Sequence, residues 1–425
     1  MTTKNRMTSR ESRWLAALIM AAFAVRVIYC WKFPQWGPGG SIPDLNWYET
    51  IAESLFRHGD ITNPTGCLTA AREPGYPMLL AGMYLFTGPS YRAGQALNCV
   101  FGTLTVWLIF SLGRAVFEKR TAWLAAGIAA FYPQFLYYTS TLERETIQTF
   151  LLTLTAWLLV RGRQNGYADR SASWRPWAAA GLAAACCALT NSVFLPTGLA
   201  LASVAWLIGR RKGRENRRWA AVYLTAFLCL YALWPLRNVR VFHRFIPGIA
   251  FGGGHLYLGI LVPNNVAGTP GEAKFLENDP VNLEAKNLSE AERDIFFYRA
   301  SFRFMREHPA KFALIAARSL AKLWRLYPYA RSYAYNYRLI KWVGLLSDGW
   351  IIPMGFLGML LAGRRFPETD YFYCIILTVS FTYMIFWSIV RYRLPMMPFV
   401  ILFCAYAATR LLYRWGRVRI EQDEN

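Results

Sequence analysis

Long apolar segments alternate with short polar or basic connections along most of this chain of 425 residues. The hydrocarbon core of a bilayer requires about 20 predominantly apolar residues per helix. The pattern therefore predicts an all-α polytopic membrane protein with about ten transmembrane helices. The predicted spans are residues 14–32, 93–115, 121–139, 145–161, 177–190, 193–209, 219–236, 342–362, 370–390 and 395–413.

Lys and Arg residues are concentrated in the N-terminal segment, in the connections that follow the second, fourth, sixth and eighth spans, and in the C-terminal tail. Because cytoplasmic loops are enriched in Lys and Arg, both termini are predicted to be cytoplasmic. Two longer regions, 33–92 and 237–341, then face outward. We expect an N-terminal transmembrane module (1–236) that includes the first outer loop, then the second outer loop, then C-terminal transmembrane helices with a cytoplasmic tail (342–425).

The first outer loop contains a weaker helical pattern. Apolar residues recur at helical spacing after Asp44, which predicts a short interfacial helix with Asp44 at its N-cap. Pro74 and Pro77 interrupt any continuous helix at the end of this loop. The apolar stretch 78–86 is too short to span and is predicted to be interfacial or re-entrant.

The second outer loop divides into two parts. Residues 248–275 are rich in Gly, Pro and Asn and are predicted to be irregular. Residues 290–327 have a helical pattern that Pro309 divides into two helices. The second of these is amphipathic, and whether 310–327 lies on the surface or forms an extra span is left open by the pattern.

Composition agrees with a membrane protein: 55% of the residues are hydrophobic, 16% are aromatic, and the mean hydropathy is +0.21. The net charge of +22 would suggest nucleic acid in a soluble protein, but here the basic residues flank apolar segments, so no nucleic-acid partner is expected. The sequence contains no cluster of Cys and His residues, and it therefore does not predict a metal site. Cys30, Cys67 and Cys99 lie near the outer surface; a disulfide among them is left open, and plain packing is favoured.

Several motifs, in order along nearly the whole chain, resemble the bacterial branch of the GT-C membrane glycosyltransferases, which includes protein O-mannosyltransferases and lipid A aminoarabinose transferases. The motifs are Pro43-Asp44 with Tyr48, Ile51 and Ala52, Ala71-Arg72-Glu73-Pro74-Gly75-Tyr76-Pro77, Leu142-Glu143-Arg144-Glu145-Thr146, Trp234-Pro235-Leu236-Arg237-Asn238, Leu256-Tyr257-Leu258-Gly259, His308-Pro309 and Arg391-Tyr392-Arg393-Leu394-Pro395.

The resemblance implies transfer of a sugar from a polyprenyl-phosphate donor to a glycan, lipid or protein acceptor on the outer face of the cell (inner) membrane. The acceptor attacks the anomeric carbon, with inversion, and polyprenyl phosphate leaves. The sugar, the acceptor and any use of a divalent cation stay open, because Asp44 is followed by Leu45 where many members have a second acid. Thr190 is likewise followed by Asn191 where many have a basic residue. The alternative is a flippase or transporter of a lipid-linked intermediate.

The resemblance also assigns roles to individual residues. Asp44 is the expected base, since a carboxylate can accept the proton of an attacking hydroxyl or amine. Its alternative role is a plain N-cap. Glu145 is the second catalytic candidate, at the outer end of the predicted fourth span, and its alternatives are a helix-terminal charge or a pair with Arg144.

The remaining assignments concern the phosphate and the rest of the substrate. Arginine is always charged and can form two hydrogen bonds to a phosphate. The expected donor-phosphate ligands are Arg72, Arg237, Arg391 and Arg393. The alternatives are headgroup anchoring for the last three and an ion pair with Glu73 for Arg72. Glu73, Tyr76 and Tyr48 are expected to contact substrate.

Overall fold

The computed structural model describes residues 7–32, 43–168, 174–212, 214–262, 270–327, 337–363 and 365–423, and within these ranges the protein is helical, with a single isolated bridge between Thr62 and Leu68. The all-α prediction is confirmed. The helices are α1 (Ser9–Lys32), α2 (Pro43–His58), α3 (Gly75–Thr87), α4 (Tyr91–Val116), α5 (Lys119–Phe131), α6 (Pro133–Thr139), α7 (Glu145–Ala168), α8 (Arg175–Thr190), α9 (Leu195–Lys212), α10 (Arg214–Tyr231), α11 (Leu233–Phe242), α12 (Gly252–Leu261), α13 (Pro270–Glu277), α14 (Pro280–Glu284), α15 (Glu290–Glu307), α16 (Pro309–Leu323), α17 (Tyr337–Ala362), α18 (Asp370–Ile385) and α19 (Met397–Asp423).

Within the described ranges, five segments are long and apolar enough to cross a membrane: Ser9–Lys32, Tyr91–Val116, Arg217–Phe242, Tyr337–Ala362 and Val390–Tyr413. Each contains most of one predicted span. The full count of ten stays a prediction.

Three of the other predicted spans are interrupted in the structure or correspond to short helices. The segment 121–139 is two helices, because the extended backbone of Tyr132 ends α5 and Pro133 begins α6. The helices that correspond to 177–190 and 370–390, α8 and α18, have 16 residues each. At 1.5 Å per residue such a helix is about 24 Å long, which is less than the thickness of a typical hydrocarbon core.

The main core lies between α4, α5, α7 to α10 and α17 to α19. Small residues allow close helix packing where the hydrophobic effect is weak. On α8, for example, the buried Ala180, Gly181, Ala184 and Ala188 recur at helical spacing. A Cβ at Gly181 would lie 2.2 Å from the carbonyl oxygen of Tyr223 on α10. The sequence of α8 therefore determines how closely α10 approaches it.

The first outer loop forms α2 and α3, which pack through a cluster that includes Tyr48, Ala52, Tyr76 and Leu80. The predicted interfacial helix after Asp44 is confirmed as a helix. Its start differs from the prediction, because α2 begins at Pro43 and Asp44 lies within its first turn rather than before it. A proline is well suited to the first helical position, since its missing N–H has no helical acceptor there.

For the second outer loop, the structure corrects one prediction and confirms another. Part of the stretch predicted to be irregular forms α12, whose Gly253 N–H donates to Oδ1 of Asp294 at 2.6 Å. That acceptor is 41 residues away, so the local Gly-rich pattern gave no sign of it. The division of the later pattern at Pro309 into α15 and α16 is confirmed. With 15 residues, α16 is about 22 Å long, too short to span a bilayer core by itself.

Candidate active site

Glu73 connects three segments that are distant in the sequence. It lies just before α3 and only 2% of its surface is exposed. Its Oε2 accepts a hydrogen bond from Nη1 of Arg144 at 2.7 Å, and its Oε1 accepts from the backbone N–H and hydroxyl of Ser192 at 2.7 and 2.8 Å. The ion pair considered between Arg72 and Glu73 is therefore wrong, because the ion-pair partner of Glu73 is Arg144.

Gly75 permits this arrangement. A Cβ at this position would lie 2.7 Å from the carbonyl oxygen of Leu189 and 2.9 Å from Cγ2 of Thr190. Both residues are at the end of α8, so the start of α3 packs directly against that helix terminus. The absence of a side chain at Gly75 thus brings Glu73 within hydrogen-bonding distance of Arg144 and Ser192.

Arg144 is largely buried, with 13% of its side chain exposed. Besides Glu73 it contacts the carbonyl oxygen of Thr190 at 3.4 Å, and its guanidinium lies 6.0 Å from the ring centroid of Tyr48. The sequence analysis considered Arg144 only as a partner of Glu145. The position of Arg144 in the motif Leu142-Glu143-Arg144-Glu145-Thr146 was the available signal of its importance.

Arg391 lies between two buried carboxylates. Its Nη1 donates to Oε1 of Glu143 at 2.6 Å, and its Nε lies 3.4 Å from Oε1 of Glu145. The two glutamates are 3% and 2% exposed, whereas 16% of the Arg391 side chain is exposed. Glu143 is thus a closer partner of Arg391 than Glu145 is.

Glu145 has one carboxylate oxygen without a hydrogen bond. It is the first residue of α7, and its Oε2 is buried and finds no partner in the described part of the chain. A buried polar atom without a partner is costly and is uncommon in folded proteins. Glu145 can therefore accept a hydrogen bond from a bound group, as a site for a hydroxyl or amine would require.

These residues form one layer, which we call the charged layer: Glu73, Glu143, Arg144, Glu145 and Arg391. It lies where α3, α7 and the 3-10 segment Val390–Met396 begin and where α8 ends. Tyr383 and Tyr392 stack beside it with ring centroids 4.6 Å apart, and Asn191 donates to the hydroxyl of Tyr383 at 3.1 Å. The layer combines cations that suit a phosphate with carboxylates that suit proton transfer.

Arg393, a predicted phosphate ligand, is not part of the charged layer. Its side chain is completely buried, and it pairs with Oδ2 of Asp348 on α17 at 2.5 Å. It also donates to the carbonyl oxygens of Leu323, at 3.1 Å, and Arg325. Since no part of Arg393 reaches the surface, a donor phosphate has no access to it in this structure. Arg393 instead anchors the turn that carries Arg391.

Asp348 was missed by the sequence analysis. It accepts hydrogen bonds from the hydroxyl of Tyr132 and from the amide of Gln134, in addition to its pair with Arg393. A fully buried charge is retained where it is paired and hydrogen-bonded. The available signal was a lone acid within a long apolar segment, since Asp348 is the acidic residue of α17.

Arg237, on α11, and Arg72, which directly precedes Glu73, are not members of the charged layer. Arg237 is half-buried, donates to the carbonyl oxygen of Thr69 at 2.9 Å and packs over the rings of Trp234 and Phe242. Arg72 donates to the carbonyl oxygen of Ala71 and lies 5.2 Å from the ring centroid of Trp47. These contacts are structural, and a phosphate role for either arginine stays a prediction.

Tyr48 and Tyr76 are packed beneath the site. Their rings meet edge to face at 5.6 Å, and they are 4% and 0% exposed. The hydroxyl of Tyr76 accepts a hydrogen bond from Asn98 at 3.3 Å. In this structure their contacts are those of core residues, and a contact of either tyrosine with substrate stays a prediction. For Asp44, the structure describes its place on α2 and not its side chain.

Among the described residues, no three His, Cys, Asp or Glu side chains are grouped so that they could hold a metal ion.

Part of the chain matches a known protein family in sequence. Residues 71–236 match the family model of the dolichyl-phosphate-mannose-protein mannosyltransferases. The match covers less than half of the chain, and it includes every member of the charged layer except Arg391. No curated protein matches the chain in sequence.

Solved structures extend the likeness to nearly the whole chain. The oligosaccharyltransferase AglB from Archaeoglobus fulgidus, in complex with an inhibitory peptide and a dolichol-phosphate, has a TM-score of 0.56 at 14% identity, over 98% of this chain and 52% of AglB. Its apo form has a TM-score of 0.57 at 15% identity, over 98% and 53%. ArnT from Cupriavidus metallidurans bound to undecaprenyl phosphate has a TM-score of 0.46 at 16% identity, over 94% and 78%.

The chain spans about half the length of the archaeal oligosaccharyltransferases that it matches. At these identities the likeness is one of fold. The resemblance predicted from the sequence motifs is confirmed, and the chain has the polytopic helical fold of the GT-C glycosyltransferases.

Proposed function

We propose that the protein is a membrane glycosyltransferase that moves a sugar from a polyprenyl-phosphate donor to an acceptor hydroxyl or amine. The observation that carries the proposal is the charged layer, in which Arg391 and Arg144 lie beside the carboxylates of Glu143, Glu145 and Glu73. The names of the matched family and of the AglB complex, which include dolichyl or dolichol phosphate, support a lipid phosphate as the leaving group.

The proposed step is an inverting displacement. The acceptor oxygen or nitrogen forms a bond to the anomeric carbon while the bond from that carbon to the phosphate oxygen breaks. The acceptor's proton goes to a carboxylate, and the lipid phosphate leaves as an anion. Because the phosphate is a weak base, it needs positive charge near it more than it needs a proton.

Arg391 is our principal candidate for the leaving phosphate. A guanidinium has five N–H donors, so Arg391 can bind Glu143 and Glu145 and also hydrogen-bond a phosphate. The two carboxylates hold it in one orientation before the donor binds. Such preorganisation lowers the cost of stabilising charge in the transition state.

Asp44 and Glu145 are the proposed carboxylates for proton transfer. Glu145 is supported by its buried oxygen without a partner. Asp44 is supported by its motif and by its place in the first turn of α2, the helix that packs against α3 just beyond Glu73. We further propose an inner-membrane protein with cytoplasmic termini and the charged layer on the outer face.

Purified protein in phospholipid vesicles, given a radiolabelled polyprenyl-phosphate sugar and a mixture of acceptors, tests the activity. We expect release of free polyprenyl phosphate in proportion to sugar transferred. Arg391→Ala should abolish most of this release, whereas Arg365→Ala, at an exposed arginine outside the layer, should not. Movement of unaltered donor across the vesicles without release would favour the flippase, and full activity of Arg391→Ala would exclude its proposed role.

Orientation is tested separately by a membrane-impermeant thiol reagent. Single cysteines introduced at residues 60–66 should be labelled in intact cells, and cysteines at 212–216 should not. Labelling of the second set alone would reverse the proposed topology.

A further inference from the structure

Helix α1 is attached to the rest of the protein through a narrow face. Among its 24 residues, three are buried: Ala22, Arg26 and Cys30. They recur every fourth residue, so they form one line along the helix. This line packs against α4 and the region around α5 and α6.

The contacts along that line show that α1 and α4 run antiparallel. Arg26 lies against Gly102, where a Cβ would be 2.8 Å from Nε of the arginine. One turn further along α1, Cys30 lies against Cys99, which is three residues before Gly102. Gly102 therefore permits close approach of the two helices immediately beside the cysteine pair.

The two thiols face each other at the end of this interface. Their Sγ atoms are 3.7 Å apart, and the residues are 6% and 2% exposed. Both are free thiols in the structure. A disulfide has an S–S distance of about 2.05 Å, so bond formation requires the sulfurs to approach by about 1.7 Å, which side-chain rotation with a small shift of α1 can provide.

We propose that Cys30 and Cys99 form an intramolecular disulfide that joins α1 to α4. The inference rests on the proposed orientation, which places this end of both helices at the outer, oxidising face, where disulfides persist. It replaces the sequence-based preference for plain packing. Cys67, the other cysteine considered there, is exposed on the first outer loop and carries no part of the proposal.

The bond forms by exchange with a disulfide oxidant, before α1 packs and buries the thiols. The Cys99 thiolate attacks the oxidant's disulfide and forms a mixed disulfide. The Cys30 thiolate then attacks the Cys99 sulfur, which forms the Cys30–Cys99 bond and releases the oxidant as a dithiol. The two cysteine protons go to the oxidant's thiolates, and the oxidant accepts the two electrons.

The consequence lies in the first outer loop. Helix α2, which carries Asp44 in its first turn, begins eleven residues after Lys32, the last residue of α1. A covalent bond at Cys30 fixes the end of α1 from which this connection starts. The disulfide would therefore hold the end of α1, to which the first outer loop is joined, against α4.

Mass spectrometry of protein from aerobically grown cells, treated with N-ethylmaleimide at lysis, tests the proposal. We expect a linked peptide pair containing Cys30 and Cys99, and maleimide adducts at these residues only after reduction. Dithiothreitol should lower the thermal midpoint of the wild type and of the control Cys67→Ser, and should leave the midpoint of Cys30→Ala unchanged.

Recovery of both residues as maleimide adducts without reduction, or of either one linked to Cys67, would overturn the proposal. The peptide measurement uses the wild-type protein and so does not depend on the folding of a variant. Because orientation is measured independently with introduced cysteines, a correct topology with free thiols would refute the disulfide alone.

Discussion

Arg391 and Arg393 are two residues apart, and the structure predicts opposite outcomes when each is removed together with its carboxylate partner. Arg393 is completely buried with Asp348, and 16% of the Arg391 side chain is exposed beside Glu143. Four variants follow: Arg393→Gln and Arg391→Gln alone, and each combined with Asn or Gln in place of its partner. The comparison separates an arginine that holds the fold from one that contacts the substrate.

For the buried pair, Arg393→Gln leaves the Asp348 carboxylate with Tyr132 and Gln134 as its hydrogen-bond donors. Removing one partner of a buried ion pair costs about 3–5 kcal/mol, because the remaining charge is uncompensated. Replacing both partners by neutral groups is often close to neutral. We therefore expect Arg393→Gln to be poorly folded and Asp348→Asn/Arg393→Gln to recover most of the stability and most of the turnover.

For the pair of Arg391 and Glu143, in which only the arginine is partly exposed, turnover should not recover. Glu143→Gln/Arg391→Gln removes one charge of each sign, as the first double variant does. It also leaves Glu145 without the nearby cation and removes the cation proposed to stabilise the leaving phosphate. By analogy with the loss of one oxyanion donor, turnover should fall about 100- to 1,000-fold, or about 2.7–4 kcal/mol in the barrier.

Thermal midpoints by fluorescence-detected size exclusion and turnover of the labelled donor lipid measure the two effects. A stable but inactive Asp348→Asn/Arg393→Gln protein would refute this reasoning, because it would show that Arg393 acts on the substrate. An active Glu143→Gln/Arg391→Gln protein would equally remove Arg391 from the phosphate site.

Three further predictions concern other parts of the protein. Asp44→Asn should keep expression and thermal stability, because Asn keeps the size of the Asp side chain, and should reduce turnover by about 100-fold or more. Asp60→Asn, at an exposed aspartate, should stay close to wild type. Gly75→Ala should lower both the thermal midpoint and the turnover, because the new Cβ would lie 2.7 Å from the carbonyl oxygen of Leu189. The loss of stability should correspond to about 1–3 kcal/mol. An unchanged midpoint would mean that the start of α3 does not pack against the end of α8. Burial raises the pKa of the Asp294 carboxyl group to about 6. The folded protein therefore binds the carboxyl proton more tightly than the unfolded chain does, and the free energy of unfolding should fall as the pH rises from about 4 to 6. Asp294→Asn should reduce this pH dependence in thermal midpoints measured across the same range.

Most helices could be predicted from the sequence because their signals are local. The helical spacing of apolar residues after Asp44 predicts α2, and Pro309 predicts the break between α15 and α16, since each depends on residues within a few turns. The failure at α12 has the opposite cause. Its first turn is satisfied by Asp294 and its Tyr257 packs on Phe297, both of which are far away in the sequence.

The candidate site could be predicted only as a set of separate residues. The motifs identify Glu73, Glu145 and Arg391 as unusual charged residues near helix ends, and all three belong to the charged layer. They do not show that Glu73 pairs with Arg144, 71 positions away, or that Arg391 binds Glu143, 248 positions away. For the same reason Arg393 could not be distinguished from Arg391 in the sequence.

The sequence by itself determined the class of the protein: apolar segments of nearly bilayer length require helices in a membrane, and the asymmetry of Lys and Arg predicts their orientation. Only the tertiary structure decided which charged side chains belong to the charged layer and which form ion pairs elsewhere. The direction of a side chain at a helix end, and the partner that neutralises it, depend on how several helices pack, and this information is distributed over hundreds of residues. Arg391 faces the charged layer and Arg393 faces Asp348 because the turn between α18 and α19 points successive side chains to different neighbours.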